Sequence, residues 1–226
     1  MNEQEIKTAS AWERMLNVLV CPGEVFEEVS RTPRCSANWH VPTLLVATAA
    51  IVSVLLSPIG ANFGAGLREA GAVPDPLGRK VIVAGWWPIV SCLSIFVAAF
   101  GGSIWSAFVL WFIGRVFLKT RFSWLKALEI VGLSGIVLVL GLIVTAFLVT
   151  ISGDVHTRPA LSVLLGRLDR PTRIYQILRA LDFFNIWSTV VMAIGLSKLA
   201  RVSFKEAAFW VFWYWLGLRI VLAVLA

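Results

Sequence analysis

The chain has 226 residues, 58% hydrophobic and 15% charged, with a formal charge of +7 and a mean hydropathy of +0.83. A soluble domain is nearer half apolar and a quarter charged, so no single core of this size could bury these side chains behind a polar surface, and the excess must face lipid. The positive charge does not mark a nucleic-acid binder, because the 20 basic residues sit in short clusters between long apolar runs, as membrane-flanking charges do.

The chain starts MNEQE, which is too acidic for a cleaved secretory signal, so the first long apolar segment is expected to stay as an anchor. Residues 1–35 form the only sizeable polar head. Trp12, Met15, Leu16 and Leu19 recur at helical spacing and predict one short amphipathic helix. Pro22 suits a first helical position, and Val25, Phe26 and Val29 form the apolar stripe of a second helix. These helices either lie on the membrane surface or cap the bundle. The rest, residues 36–226, is the membrane domain.

The first span is expected from about Val41 to Ile59, with Trp39 at the interface and Pro42 at the helix start. A Gly- and Pro-rich loop follows, from Gly60 to Lys80. No charge then appears until Arg115. Those 34 residues, as helix, would reach about 51 Å against a hydrocarbon core of roughly 30 Å. They predict one long or broken helix over 81–118, in which Ser94, Ala98, Gly102 and Ser106 form a small-residue packing ridge. The third span runs from about Leu128 to Thr150, with Gly132, Gly135 and Gly141 suited to close contacts.

Residues 151–182 form the longest connection. Two Pro-led amphipathic stretches, Pro159 to Asp169 and Pro171 to Leu181, read as interfacial helices with their arginines toward headgroups. The fourth span, Phe183 to Leu199, carries Asn185, Ser188 and Thr189, which read as interhelical hydrogen bonds or as the lining of a polar cavity. The fifth covers Ala207 to Ala226, behind a capping box at Ser203 to Glu206. The fold class is all-α: a polytopic bundle of about five transmembrane helices with short interfacial helices.

Basic residues set an expected orientation. Arg115, Lys119, Arg121 and Lys126 lie between spans two and three, and Lys198, Arg201 and Lys205 between spans four and five. Short basic loops are cytoplasmic, which places the amino terminus inside and the carboxyl terminus outside. Arg121-Phe122-Ser123-Trp124 and Arg201-Val202-Ser203-Phe204 also form a faint repeat, each joining two spans.

Charges near the membrane usually have partners. Counted from Val202, Asp182 is 20 residues back and Arg219 is 17 forward, so their depths differ by about 5 Å and they are expected to pair. Arg115 and Glu129 are each seven residues from Phe122 and form a second expected pair. Catalytic and phosphate-binding signatures are absent from the sequence. Cys21, Cys35 and Cys92 share no metal spacing with His40 or His156. No enzyme activity, cofactor or metal is expected, and the expected partners are membrane lipid and other membrane proteins or a second copy of this chain.

Three passages carry a resemblance. They are Leu19 to Glu28, with its P-x-x-x-F pattern ahead of Trp39 and Pro42; Leu181 to Trp187, followed by Ala193-Ile194-Gly195-Leu196; and Arg201 to Ala208. With five spans in this order, the chain resembles the Yip-one domain (Rab/Ypt-interacting) membrane proteins in their short bacterial form, over nearly its whole length. The third span departs from the family pattern, since no Pro lies between Gly132 and Gly141. The resemblance implies a multi-pass protein of the bacterial inner membrane and supplies no catalytic residues. Eukaryotic relatives engage Rab-type GTPases through a longer head, which does not carry over to about 40 residues. The expected function is a non-enzymatic scaffold or adaptor, the alternative being a small transporter or lipid-handling protein acting as an oligomer.

Overall fold

The structure, a computed structural model, describes residues 10–56, 72–74, 80–82, 87–152, 159 and 182–225. Among these the elements in chain order are α1 (Ala11–Asn17), α2 (Pro22–Arg31), α3 (Ala37–Leu56), β1 (Ala72–Pro74), β2 (Lys80–Ile82), α4 (Trp87–Val116), α5 (Trp124–Ser152), α6 (Phe183–Ala200) and α7 (Phe204–Leu225). The strands pair as a small antiparallel hairpin, in which β2 takes residues 81 and 82 from the helix expected over 81–118.

Local chemistry sets most helix starts. The Ser10 hydroxyl accepts from the Glu13 N–H at 3.2 Å, and the Glu13 carboxylate accepts from the Ser10 N–H at 2.7 Å, a reciprocal cap for α1. Pro22 opens α2, where its missing N–H costs nothing. Asp182 caps α6 by accepting from the N–H groups of Phe184 and Asn185 at 2.8 and 3.3 Å. Ser203 accepts from the Glu206 N–H at 3.3 Å ahead of α7.

Four of the described helices, α3 to α6, are long and apolar enough to cross a membrane. With α7, of 22 residues, the bundle has about five spans. The second span is one unbroken helix of 30 residues, about 45 Å long, with Pro88 in its first turn. The third is also continuous, in keeping with its lack of an internal Pro. The amphipathic stretches expected over 159–181 lie outside the described residues apart from Pro159, whose carbonyl accepts from the Phe183 N–H at 3.1 Å.

α5 is the central helix, with α3, α4 and α6 packed against it. Leu128, Ile130, Leu133 and Val137 are buried there, together with Val191 of α6. α7 lies at the edge, joined to α4 and α6 through Val109, Ile113, Ala193, Leu196, Ala207 and Val211. Trp105 Nε1 donates to the Tyr214 hydroxyl at 2.7 Å across α4 and α7.

Of the two placements open to the head, the structure shows the cap. Met15, Val18, Val25, Phe26 and Val29 all belong to the bundle's main core. Each such burial is worth roughly 1.5–3 kcal/mol when taken from water. The head is thus part of the bundle.

Helix approach within lipid depends on small residues, since lipid tails are as apolar as leucine. The tightest crossing is at Gly132 of α5. A Cβ there would meet the Trp39 backbone and side chain, and the Asn38 carbonyl at 2.8 Å. Pro42 has no N–H to offer that carbonyl, which is why it is left facing α5.

The expected ridge on α4 is not its packed row. Ser94, Ala98 and Gly102 are exposed, Ser106 is half-buried, and a Cβ on Gly102 would meet nothing within 4 Å. The packed row is the next one round: Ala107 is buried, and the Ser103 and Thr43 hydroxyls lie 3.4 Å apart across α4 and α3. Both rows have small residues every fourth position, so spacing does not choose between them.

Gly132→Ala should therefore lower stability by about 1–3 kcal/mol, since rigid backbone blocks the added methyl. Gly102→Ala should be neutral or stabilising by up to about 1 kcal/mol. Unfolding in detergent, followed by tryptophan fluorescence, checks both.

Candidate functional site

Where the head meets the bundle, four elements contribute to one chain of buried polar groups. Arg14 lies in α1 beside the core residue Met15 and is itself only 5% exposed. Its guanidinium meets Glu28 of α2 at 2.8 Å and reaches the Asn38 side-chain oxygen at 3.5 Å. Asn38, in the first turn of α3 and fully buried, turns its amide to Glu129 of α5 at 2.8 Å. Glu129 also receives the Cys35 N–H at 3.3 Å and pairs with Lys126, one turn earlier, at 3.0 Å. Lys126 Nζ donates further to the carbonyls of Val29 and Pro33, at 2.8 and 3.2 Å.

All three ammonium hydrogens of Lys126 are thereby used, and both Glu129 oxygens are occupied. Buried charges persist only under such full pairing, because an unpaired one keeps its whole desolvation cost. The Lys126 bonds to Val29 and Pro33 also hold the end of α2 and its exit against α5. Among the described residues no His, Cys, Asp or Glu cluster could hold a metal ion.

A second, more exposed contact ties α2 to α6. Glu27 bonds Lys198 at 2.7 Å and Arg31 at 2.6 Å. The Lys198 hydrogen bond and charge, followed by the Arg31 charge, hold the Glu27 carboxyl below its ordinary 4.5.

The pairs expected from depth come out differently. Glu129 is taken by Lys126 and Asn38, while Arg115 is exposed at the end of α4. A partner one helical turn away on the same helix outcompetes one across a loop. Asp182 serves as the α6 cap, and the Arg219 side chain lies outside the described residues. Arg14 and Asn38 were not singled out from the sequence, and Lys126 was read only as a basic residue that orients the chain. Their signal was an arginine amid the apolar face of an amphipathic helix, and an amide and a lysine just inside apolar spans.

Asn185, Ser188 and Thr189 divide. Ser188 donates to the Ser134 carbonyl at 3.3 Å and Thr189 to the Asn185 carbonyl at 2.7 Å, and both hydroxyl residues are buried. Asn185 instead lines a cavity of about 520 Å³ toward the end of the bundle away from the head. Asp182, Phe184, Gly141, Thr145 and Ala98 are among its other walls.

A carboxyl held low in the folded state adds stability that is complete above its unfolded value and lost as pH falls through the folded one. The Glu27 contact should therefore be constant above pH 4.5 and fade below it. Hydrogen exchange over residues 22–31 should be unchanged between pH 7 and 5, after correction for intrinsic rates, and faster below 4. Glu27→Gln should remove that acid response.

Comparison with known proteins now bears on this arrangement. The family model of the Yip1 domain matches residues 16–226, which include α2 and every described span. The chain is 25% identical over 215 residues to "Membrane protein YknW" of Bacillus subtilis (strain 168), covering 90% of this chain and 85% of that protein. No solved structure matches. The matched region takes in the head's second helix, the buried network from Asn38 onward and the helices it joins, and the chain belongs to the Yip1 domain family of membrane proteins.

Proposed function

We propose that the protein is a non-enzymatic scaffold or adaptor that engages other membrane proteins, and lipid, through its head end. The observation that carries this reading is the outer surface of α1 and of the turn that follows it. Trp12 is 58% exposed, Leu16 55% and Val20 81%, although they belong to the polar head and not to a membrane span. Trp12 and Leu16, four residues apart, share one face. Large apolar side chains outside the bilayer core mark contact surfaces, and the docked head holds these in a fixed position. The buried charges of Arg14, Lys126 and Glu129 are committed to holding the fold, which favours an architectural role for that network. Short basic connections at that end favour its placement in the cytoplasm.

The cavity around Asn185 favours one second reading, a small transporter or lipid-handling protein. It is bounded by apolar side chains with a few polar ones, as small-molecule sites are.

Native mass spectrometry of the protein, extracted gently from its own membrane, separates the two. The adaptor reading predicts a stoichiometric protein partner that is lost on Trp12→Ser with Leu16→Ser. Deleting residues 1–35 would be the wrong test, because it would strip Phe26 and Val29 from the core. A partnerless homo-oligomer retaining one solute, unaffected by these substitutions, would overturn the adaptor reading in favour of transport.

A further inference from the structure

We propose that a cleft at the head end of the bundle is a binding site for a phosphate group. The cleft, of about 440 Å³, lies where α2 meets the α4–α5 and α6–α7 connections. Its lining includes four cations, Arg121, Lys126, Lys198 and Arg201, and no carboxylate, with Ser30 and Phe122 among the other walls. The two arginines are equivalent residues of the sequence repeat. The fold brings the two connections, 80 residues apart in the chain, to one place.

The four cations are not equally free. Lys126 is committed to Glu129 and two carbonyls, so it offers no donor and its charge is largely balanced. Lys198 gives one hydrogen to Glu27. Arg121 and Arg201 are exposed and, among the described residues, make no ion pair. Two planar guanidinium groups with free donors match the tetrahedral, multiply charged oxygens of a phosphate. The apolar floor at Phe122 and Leu199 lowers the local dielectric and strengthens the attraction.

Backbone conformation adds an independent observation. Arg201 ends α6 in the left-handed region, at φ 56° and ψ 40°, and Lys119 adopts φ 54° in the other connection. Glycine takes this conformation without steric cost and a longer side chain does not. Helices commonly end in this conformation, and here it sets Arg201 at the border of the cleft.

The cleft also lies at the right depth. Lys126 is in the first turn of α5 and Lys198 in the last of α6, which are span ends, where lipid headgroups sit. The phosphate could belong to an anionic lipid of that leaflet or to a soluble phosphate compound. The site stands whether or not the head recruits a protein partner.

The full-length protein is tested in two arms. Native mass spectrometry with added dioleoyl-phosphatidylglycerol reads the lipid source. Titration with inorganic pyrophosphate in phosphatidylcholine nanodiscs, read by thermal shift, tests the soluble one. Wild type should bind in at least one arm, and Arg121→Gln with Arg201→Gly should weaken that binding by at least about tenfold. Arg201→Gly suits the left-handed turn, so unfolding temperature should be unchanged or higher in the absence of ligand. Arg121→Gln alone, at an exposed position, gives a second reading if the double variant folds poorly. Equal binding by wild type and variants, or binding in neither arm, overturns the site.

Discussion

Asn38 joins the head to the membrane bundle, and most of the architecture depends on the bonds that meet there. Its oxygen faces Arg14 of α1, its amide nitrogen holds Glu129 of α5, and its own backbone lies against Gly132. A buried ion pair is not in itself a strong source of stability, because desolvation cancels much of the attraction. What such a chain does well is select one arrangement, since any shift of the head strands a charge. Apolar contact between Phe26, Val29 and the bundle would tolerate several rotations of α2. The lysine bonds to the Val29 and Pro33 carbonyls tolerate few.

This constraint gives the molecule two unlike ends. At the head end, the buried polar groups are dense and mutually bonded, and the basic cleft opens between connections. Toward the other end, α3, α4, α5 and α6 separate around the apolar cavity. Helices in lipid gain little from hydrophobic contact with one another, so a bundle locked at one end can stay loosely packed at the other. That asymmetry is what the adaptor and transport readings divide between them.

The spans were legible because a bilayer imposes one simple rule, a long run without charge, which α4 obeys up to Arg115 and α5 beyond Glu129. The head helices were legible from Pro22 and the Val25, Phe26, Val29 stripe. The polar network was not, because its members lie far apart in the chain: 91 residues separate Asn38 from Glu129. Counting residues from a turn gives depth but not azimuth, and azimuth decides that Glu129 faces Asn38 and not Arg115. The same ignorance of azimuth put the α4 packing ridge one row from where α3 and α4 meet. The basic residues of the cleft had been assigned a topological role, and only the fold shows that two connections converge.

Lys126, through the Val29 and Pro33 carbonyls, and Glu129, through Asn38 and the Cys35 N–H, fix the head on the bundle as one buried unit. A double-mutant cycle with Lys126→Met and Glu129→Leu, read as unfolding free energy in detergent, tests this most directly. Each single variant should lose about 3–5 kcal/mol, because each strands a buried charge. The double variant should lose clearly less than the sum, with a coupling above about 1 kcal/mol. Small, additive losses would contradict the account and leave apolar contact alone to hold the head in place.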